Sequence, residues 1–374
     1  MDFSLNEVQE MLADSIDKFI ENEYAFDTRQ KYAASEAGYS NDIWKTFAEL
    51  GWTAVPFAED DGGFDGDQID IMVIMQRLGR GLIVEPYLAN VILAGGILKR
   101  VAGAEQKRQW LHPIIGGDLQ ATLAFAEPQA RYELANIATT ASTVGGNWIL
   151  NGSKGFVLNG GTSDLIIVPA RTAGDQSDRN GITLFAVPTD ADGLLLNAYH
   201  TVDGLRAAEL TLHDVHVDDE SVLGDVGAGL AALEATIDDA TLAICAEGVG
   251  IMHVLKDKTI EFSKGRSQFG VPIGSFQALQ HRMVDMLTAC EQAQSLLLWA
   301  AMTCAAGDDQ ARRAISSIKY LVGTSGQKLG EEAVQLHGGM GVTWDLDVAH
   351  YFKRLTAIGQ LFGNADWHLD KLAA

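Results

Sequence analysis

The sequence predicts an α+β protein that is mainly α, with a helical region over residues 1–118, a β domain over 119–225 and a helical bundle over 226–374. Three observations carry the assignment. Apolar residues recur at helical spacing as far as about residue 118. Short runs of alternating apolar and polar residues, separated by turn signals, follow. From Gly227 onward steps of three and four return. A chain of 374 residues, 47% hydrophobic and with a mean hydropathy of +0.04, has the material for two or three domains around large cores.

In chain order, Ser4-Leu5-Asn6-Glu7 reads as a capping box opening a helix that runs through Phe19 and Ile20. Ile43 to Trp52 is a second helix, closed by a glycine. Val55 to Phe64 contains Asp61-Gly62-Gly63 and must turn sharply. Val84-Glu85-Pro86-Tyr87-Leu88 begins another helix, and Gln106 to Ile115 closes the region at Gly116-Gly117. Strands are expected at Thr122–Ala126, Leu165–Ala170, Ile182–Val187 and Leu210–Val217, with a hairpin around Gly145-Gly146. Their close spacing argues a mostly antiparallel barrel or sandwich. Ile315 to Leu336 is again helical.

Composition narrows the function. The net charge of −23 disfavours nucleic acid and anionic membranes as partners, because neutralising phosphates takes clustered Lys and Arg. Neither a membrane-inserting apolar run nor a secretory leader is expected, which places the protein in the cytoplasm. Cys245, Cys290 and Cys304 lie in apolar helical sequence without metal-ligand spacing, so buried thiols and no metal are expected.

The bundle is organised around Glu261–Ala301. A turn, Arg266-Ser267-Gln268-Phe269-Gly270, precedes a long helix whose apolar face is marked by Leu279, Met283, Met286, Leu287, Cys290, Leu297 and Ala301, with Ser275 as the expected N-cap. A guanidinium, glycine amides and a helix N-terminus converge here in a way that suits an anion. Alone, the turn reads equally as a solvated loop. A second turn, Gln335-Leu336-His337-Gly338-Gly339-Met340-Gly341, follows at the end of the next helical span.

Together these segments resemble the signature turns of the acyl-CoA dehydrogenase family, and the resemblance covers nearly the whole chain. It implies a helical domain, a β domain and a C-terminal four-helix bundle that assembles oligomers. It also implies FAD as cofactor, bound between two subunits. Arg266, Gln268, Phe269, Gln277, Gln335, Gly338 and Gly339 stand where that family holds the FAD of the neighbouring subunit. The flavin-cradling half departs from the pattern. Ala126-Glu127-Pro128-Gln129-Ala130-Arg131-Tyr132-Glu133 replaces a glycine-rich loop, so Gln129, Arg131 and Tyr132 are expected to crowd the flavin. In Asn151 to Gly161, Phe156 keeps an aromatic surface, while Leu158 replaces a threonine whose hydroxyl faces the flavin.

The family chemistry needs a carboxylate beside the thioester α carbon. The resemblance places it at Gly363, or at Phe362 with a one-residue gap, and in a minority of members at Ala240, which Thr241 follows. None of these is acidic. Asp366 is the replacement favoured, ahead of Glu247 and Asp239, while His337 and His368 titrate in the right range without support from family geometry. The C-terminal pattern resembles the small subunit of pimeloyl-CoA dehydrogenase-type enzymes. Three readings follow: the less catalytic subunit of a heteromeric acyl-CoA dehydrogenase in fatty or dicarboxylic acid degradation, a homomer with a displaced base, or a flavin-free assembly protein. The partners implied are an acyl-CoA substrate, a larger homologous subunit in a heterotetramer or a second copy of the chain, and an electron-transfer protein.

Overall fold

The computed structural model describes residues 4–373. Helices α1 (Glu7–Glu23), α2 (Phe26–Ala34), α3 (Asn41–Glu49), α4 (Gln68–Arg80), α5 (Gly95–Val101), α6 (Ala104–Gln106) and α7 (His112–Ile115) precede the strands. These are β1 (Ala121–Leu123), β2 (Thr140–Val144), β3 (Asn147–Leu158), β4 (Leu165–Arg171), β5 (Ile182–Pro188), β6 (Leu194–His200), β7 (Arg206–Val217) and β8 (Val222–Leu223). Then come α8 (Leu230–Gly265), the hairpin β9 (Ser267–Gln268) and β10 (Val271–Pro272), and α9 (Gln277–Ala305). Helices α10 (Ala311–Leu321), α11 (Gln327–His337), α12 (Asp347–Gln360) and α13 (Ala365–Ala373) complete the chain. No helix among the described residues is long and apolar enough to cross a membrane.

The chain packs as two compact units. One comprises residues 32–66 and 84–240 and holds the sheet, ordered β6-β7-β3-β2-β4-β5-β8 with β1 pairing β4. Most pairs are antiparallel, but β4 runs parallel to β1 and to β2. The hydrophobic pattern explains the order. β4 and β5 read as unbroken apolar runs and are buried on both faces, whereas β7 alternates. Leu150, Val157, Ile166, Val168, Phe185, Val187 and Leu210 form the centre of its core, with Trp148 edge-on to Phe185 at 5.4 Å. β6 escaped the sequence reading because, as an edge strand, it buries only Leu194.

The second unit comprises residues 1–31, 67–83 and 241–374, of which residues 4–373 are described. Its axis is α8, buried without a break from Thr241 to Gly250. Glycine allows α4 to cross it closely: a Cβ on Gly250 would lie 2.1 Å from the Gln76 carbonyl oxygen, and one on Gly79 would lie 2.2 Å from that of Glu247. Cys245 and Cys290 are buried, which pushes both thiols up to about 12, and Cys304 is half-buried.

Three local expectations are corrected. The capping box of α1 centres on Asn6, whose Oδ1 accepts from Gln9 N at 2.9 Å while Gln9 Oε1 accepts from Asn6 N at 3.1 Å. Ser275 does not cap α9. It lies in a 3₁₀ turn and donates to the Pro272 carbonyl at 2.7 Å, leaving Phe276 as an N-cap without a side-chain bond. On α9, Met286, Cys290, Leu297 and Ala301 are buried, but Leu279 and Met283 are half-buried and Leu287 is 43% exposed. The N-terminal half of that face is open within the described chain.

Candidate functional site

The Arg266 turn is a tight hairpin. Val271 pairs with Gln268 and Pro272 with Ser267. Phe269 (φ 56°) and Gly270 (φ 84°) occupy the two central positions, both left-handed as a two-residue hairpin turn demands. This conformation presents Phe269 to solvent at 92% exposure. Arg266 is exposed, and no hydrogen bond or ion pair of its guanidinium occurs among the described residues. Gln268 reaches only the neighbouring Ser267 carbonyl, and Gln277, opening α9, is exposed.

At the end of α11 Gly338 (φ 61°) turns the chain, and a Cβ on Gly338 or Gly339 would meet no atom within 4 Å. Gln335 is exposed beside them. One contact holds the two turns side by side. The His337 ring stacks on Phe262 with centroids 4.4 Å apart and planes 31° apart, and the Phe262 carbonyl accepts from Arg266 N at 2.8 Å. His337 Nδ1 donates to the Ala333 carbonyl at 2.7 Å, and burial lowers its pKa. That places His337 as a packing group between the turns.

In the sheet unit, sequence reasoning missed the ion pair that joins the two cradle motifs. Lys154 Nζ on β3 lies 2.6 Å from Glu127 Oε1, with side-chain exposures of 0% and 2%. Glu127 also accepts from Thr139 Oγ1 at 2.6 Å, Ala138 N at 2.7 Å and Gln129 Nε2 at 2.6 Å. Burial works to raise its pKa, but Lys154 and these donors hold it at about 2. Nothing beside Lys154 in β3 marked it, since Ser153 is exposed and Gly155 half-buried. Gln129 therefore folds back on its own loop. Arg131 is exposed with φ 50°, keeping the left-handed backbone of a glycine, and Tyr132 is half-buried. Phe156, at φ 51°, is 39% exposed, while Leu158 is buried at 9% and its carbonyl accepts from Thr122 Oγ1 at 2.6 Å.

The candidate acceptors of a proton are mostly engaged elsewhere. Glu247 is clamped by Arg354, with Nε to Oε1 at 2.5 Å and Nη2 to Oε2 at 2.8 Å. Asp239 pairs with Arg100 at 2.5 Å. His368 is buried, which drops its pKa to about 4, and contacts the Phe362 carbonyl and Ser316 Oγ. Ala240 and Gly363 are buried, as are Thr241 and Phe362. Asp366 is exposed on the first turn of α13, with no ion pair among the described residues. No cluster of three or more potential metal ligands occurs among the described residues.

Helices and a mostly antiparallel sheet define an α+β protein, in which an exposed arginine turn and an open glycine turn are held side by side. Family models for the N-terminal, middle and C-terminal domains of acyl-CoA dehydrogenase match residues 6–118, 122–219 and 227–374. The chain belongs to the acyl-CoA dehydrogenase family, whose members are FAD-dependent oxidoreductases acting on CH–CH bonds. It is 29% identical to the probable acyl-CoA dehydrogenase YngJ of Bacillus subtilis over 96% of each chain. It superposes on the FAD complex of PigA with a TM-score of 0.93 and 26% identity, covering 100% of this chain and 98% of that one. Against a variant of the Tcur3481–Tcur3483 steroid ACAD the TM-score is 0.88 at 26% identity, over 99% and 98% of the chains. The turns fit the diphosphate of FAD, because Arg266 is uncommitted and the glycines leave the approach open.

Proposed function

We propose that the protein serves the α,β-dehydrogenation of an acyl-CoA thioester as the less catalytic subunit of a heteromeric FAD-dependent acyl-CoA dehydrogenase. The observation that carries this is an asymmetry. The turns that would hold a neighbouring subunit's FAD are open and uncommitted, yet the two positions assigned to the base are Gly363 and Ala240, both buried. In the reaction a base removes the α proton and the β carbon gives up a hydride. FAD, when bound, accepts that hydride. Arg266 would neutralise the diphosphate, Gly338 and Gly339 would admit it close to the backbone, and Phe269 would cover it from water. The carboxylate comes from a larger homologous subunit, and an electron-transfer protein reoxidises the complex in the cytoplasm. The name of the Tcur3481–Tcur3483 steroid ACAD joins two proteins, which supports a paired assembly.

The alternative is a homomer with Asp366 as the displaced base, favoured by that residue's exposure and by its lack of an ion-pair partner among the described residues. Purifying the chain alone and with its homologous partner, then measuring FAD content and acyl-CoA oxidation, separates the two. Flavin and turnover only in the pair are expected; robust turnover by the lone chain defeats the subunit reading.

A further inference from the structure

After α12 ends at Gln360, the chain turns through Phe362 (φ 57°) and Gly363 (φ 113°) into α13. Several groups grip this turn. Lys319, on α10 and wholly buried, donates to the Gly363 carbonyl at 2.5 Å and more weakly to that of Gly359 at 3.4 Å. No carboxylate lies within ion-pair distance of it among the described residues, so the turn's carbonyls and the C-terminal end of α12 are what balance its charge. His368, on α13, reaches back with Nε2 3.1 Å from the Phe362 carbonyl and Nδ1 3.2 Å from Ser316 Oγ, which is also on α10. Asn364 Oδ1 accepts from Trp367 N at 3.0 Å and starts α13 directly after the turn.

These bonds leave no room at residue 363. A Cβ built on Gly363 would lie 2.4 Å from Trp367 Cδ1 and 2.6 Å from His368 Nε2. Both distances are well inside van der Waals contact, and an L side chain is strained at that φ in any case. Neither ring can step aside cheaply. His368 is bonded at both nitrogens, and Trp367 is half-buried with the Lys371 ammonium 5.2 Å from its ring centre. The bonding pattern puts the hydrogen of His368 on Nε2, facing the Phe362 carbonyl, and spends the Nδ1 lone pair on the Ser316 hydroxyl.

We infer that the Leu361–Asn364 turn is a closed latch in which Trp367 and His368 fill the place of a side chain at Gly363, so that no single substitution there installs a proton acceptor. Lys319 and Ser316 on α10 hold the latch shut. The inference rests on the acyl-CoA dehydrogenase reading for what position 363 is, and goes beyond it in saying why the acid is absent: packing of α13 excludes it.

The test is a pair of substitutions in the full-length chain, read by thermal denaturation. Gly363→Ala should lower Tm by about 3–6 °C, the effect of a strained backbone and a crowded methyl in a chain of this size. In a His368→Ala background the same change should cost measurably less, because one of the two clashing rings is gone while the Trp367 contact and the backbone strain remain. Equal losses in both backgrounds, or no loss in the first, would overturn the latch. Gly363→Glu should lower Tm further and gain no acyl-CoA oxidation; a Gly363→Glu protein with wild-type Tm and new turnover would overturn it as well. Should Gly363→Glu not fold, the alanine pair still decides. Turnover by the unmodified lone chain would defeat the subunit reading while leaving the latch untouched, so the two ideas fail separately.

Discussion

Lys154→Met tests the buried pair that joins the two cradle motifs. Methionine keeps the length of the side chain and removes only the ammonium, leaving the Glu127 carboxylate at 2% exposure with its counter-charge gone. Breaking a buried pair from one side costs about 3–5 kcal/mol, because the remaining charge is stranded in a poorly polarisable interior. Glu127 retains the Thr139 hydroxyl, the Ala138 amide and Gln129 as donors, which argues for the lower end of that range. For a chain of this size the expected fall in Tm is about 4–6 °C. The acid limb gives an independent reading. Glu127 titrates at about 2 in the fold against 4.5 as its ordinary value, so its contribution is complete above 4.5 and is lost as pH falls from there toward 2. Lys154→Met should raise the folded pKa and flatten that loss. Glu127→Leu/Lys154→Met should cost less than the sum of the single changes, though not nothing, since the amides of Ala138 and Thr139 lose their acceptor. The assay is thermal unfolding of all four proteins from pH 3 to 8. A Lys154→Met protein with a Tm within about 2 °C of wild type and the same acid limb would refute the argument.

The other expectations concern the cofactor and the base. Arg266→Ala should lower FAD retention by the assembled complex about ten- to a hundred-fold, the loss of a charge-assisted contact of about 1.5–3 kcal/mol; unchanged affinity in an intact assembly counts against the diphosphate assignment. Phe262→Ala unstacks His337 and loosens both turns at once, so FAD retention should fall although Phe262 itself carries no polar group; retention equal to wild type would show that the turns are independent. In the heteromer one FAD per pair of chains is expected, with its ring on the partner's β domain and its diphosphate near Arg266 of this chain. A homomer fully loaded with FAD lying on Phe156 and Leu158 would show that Gln129, Arg131 and Tyr132 do not crowd the flavin. Asp366→Asn should leave the activity of the paired complex unchanged, and its loss would make Asp366 the base.

Much of the fold was legible because periodicity reports burial directly. β4 and β5 read as unbroken apolar runs because both faces are covered, and α8 kept its register through the Ala246–Gly250 motif because the glycines there are set by helix crossing. What the sequence hid was long-range and polar. Nothing local says that Lys154 meets Glu127, 27 residues away, or that Arg354 meets Glu247, 107 residues away. Capping was misplaced at Ser4 and Ser275 for a related reason, since a serine caps only where the backbone leaves the helix, and 3₁₀ geometry at Ile273–Ser275 moved that point. The packing of His337 between the two turns was not legible either, because a histidine in a motif invites an acid–base reading before a packing one.

Two of the carboxylates weighed as the base show how packing and reactivity compete for one residue. Glu247 binds Arg354 through both oxygens, and Asp239 binds Arg100. Each is a charge that helices bury only in company, so neither is free to move toward a substrate without stranding its arginine. A base needs the opposite condition: a carboxylate poorly compensated enough to hold a proton near neutral pH. Selection for a well-packed unit and selection for a reactive acid therefore pull on the same residues in opposite directions. In a chain whose partner supplies the acid, only the first pull remains. The expected signature is that Arg354→Met, which frees Glu247, costs about 3–5 kcal/mol of stability and yields no acyl-CoA oxidation by the lone chain. Turnover emerging in that variant would mean that Glu247 is a latent base held in check by its arginine, and that the ion pair guards the reaction as well as the fold.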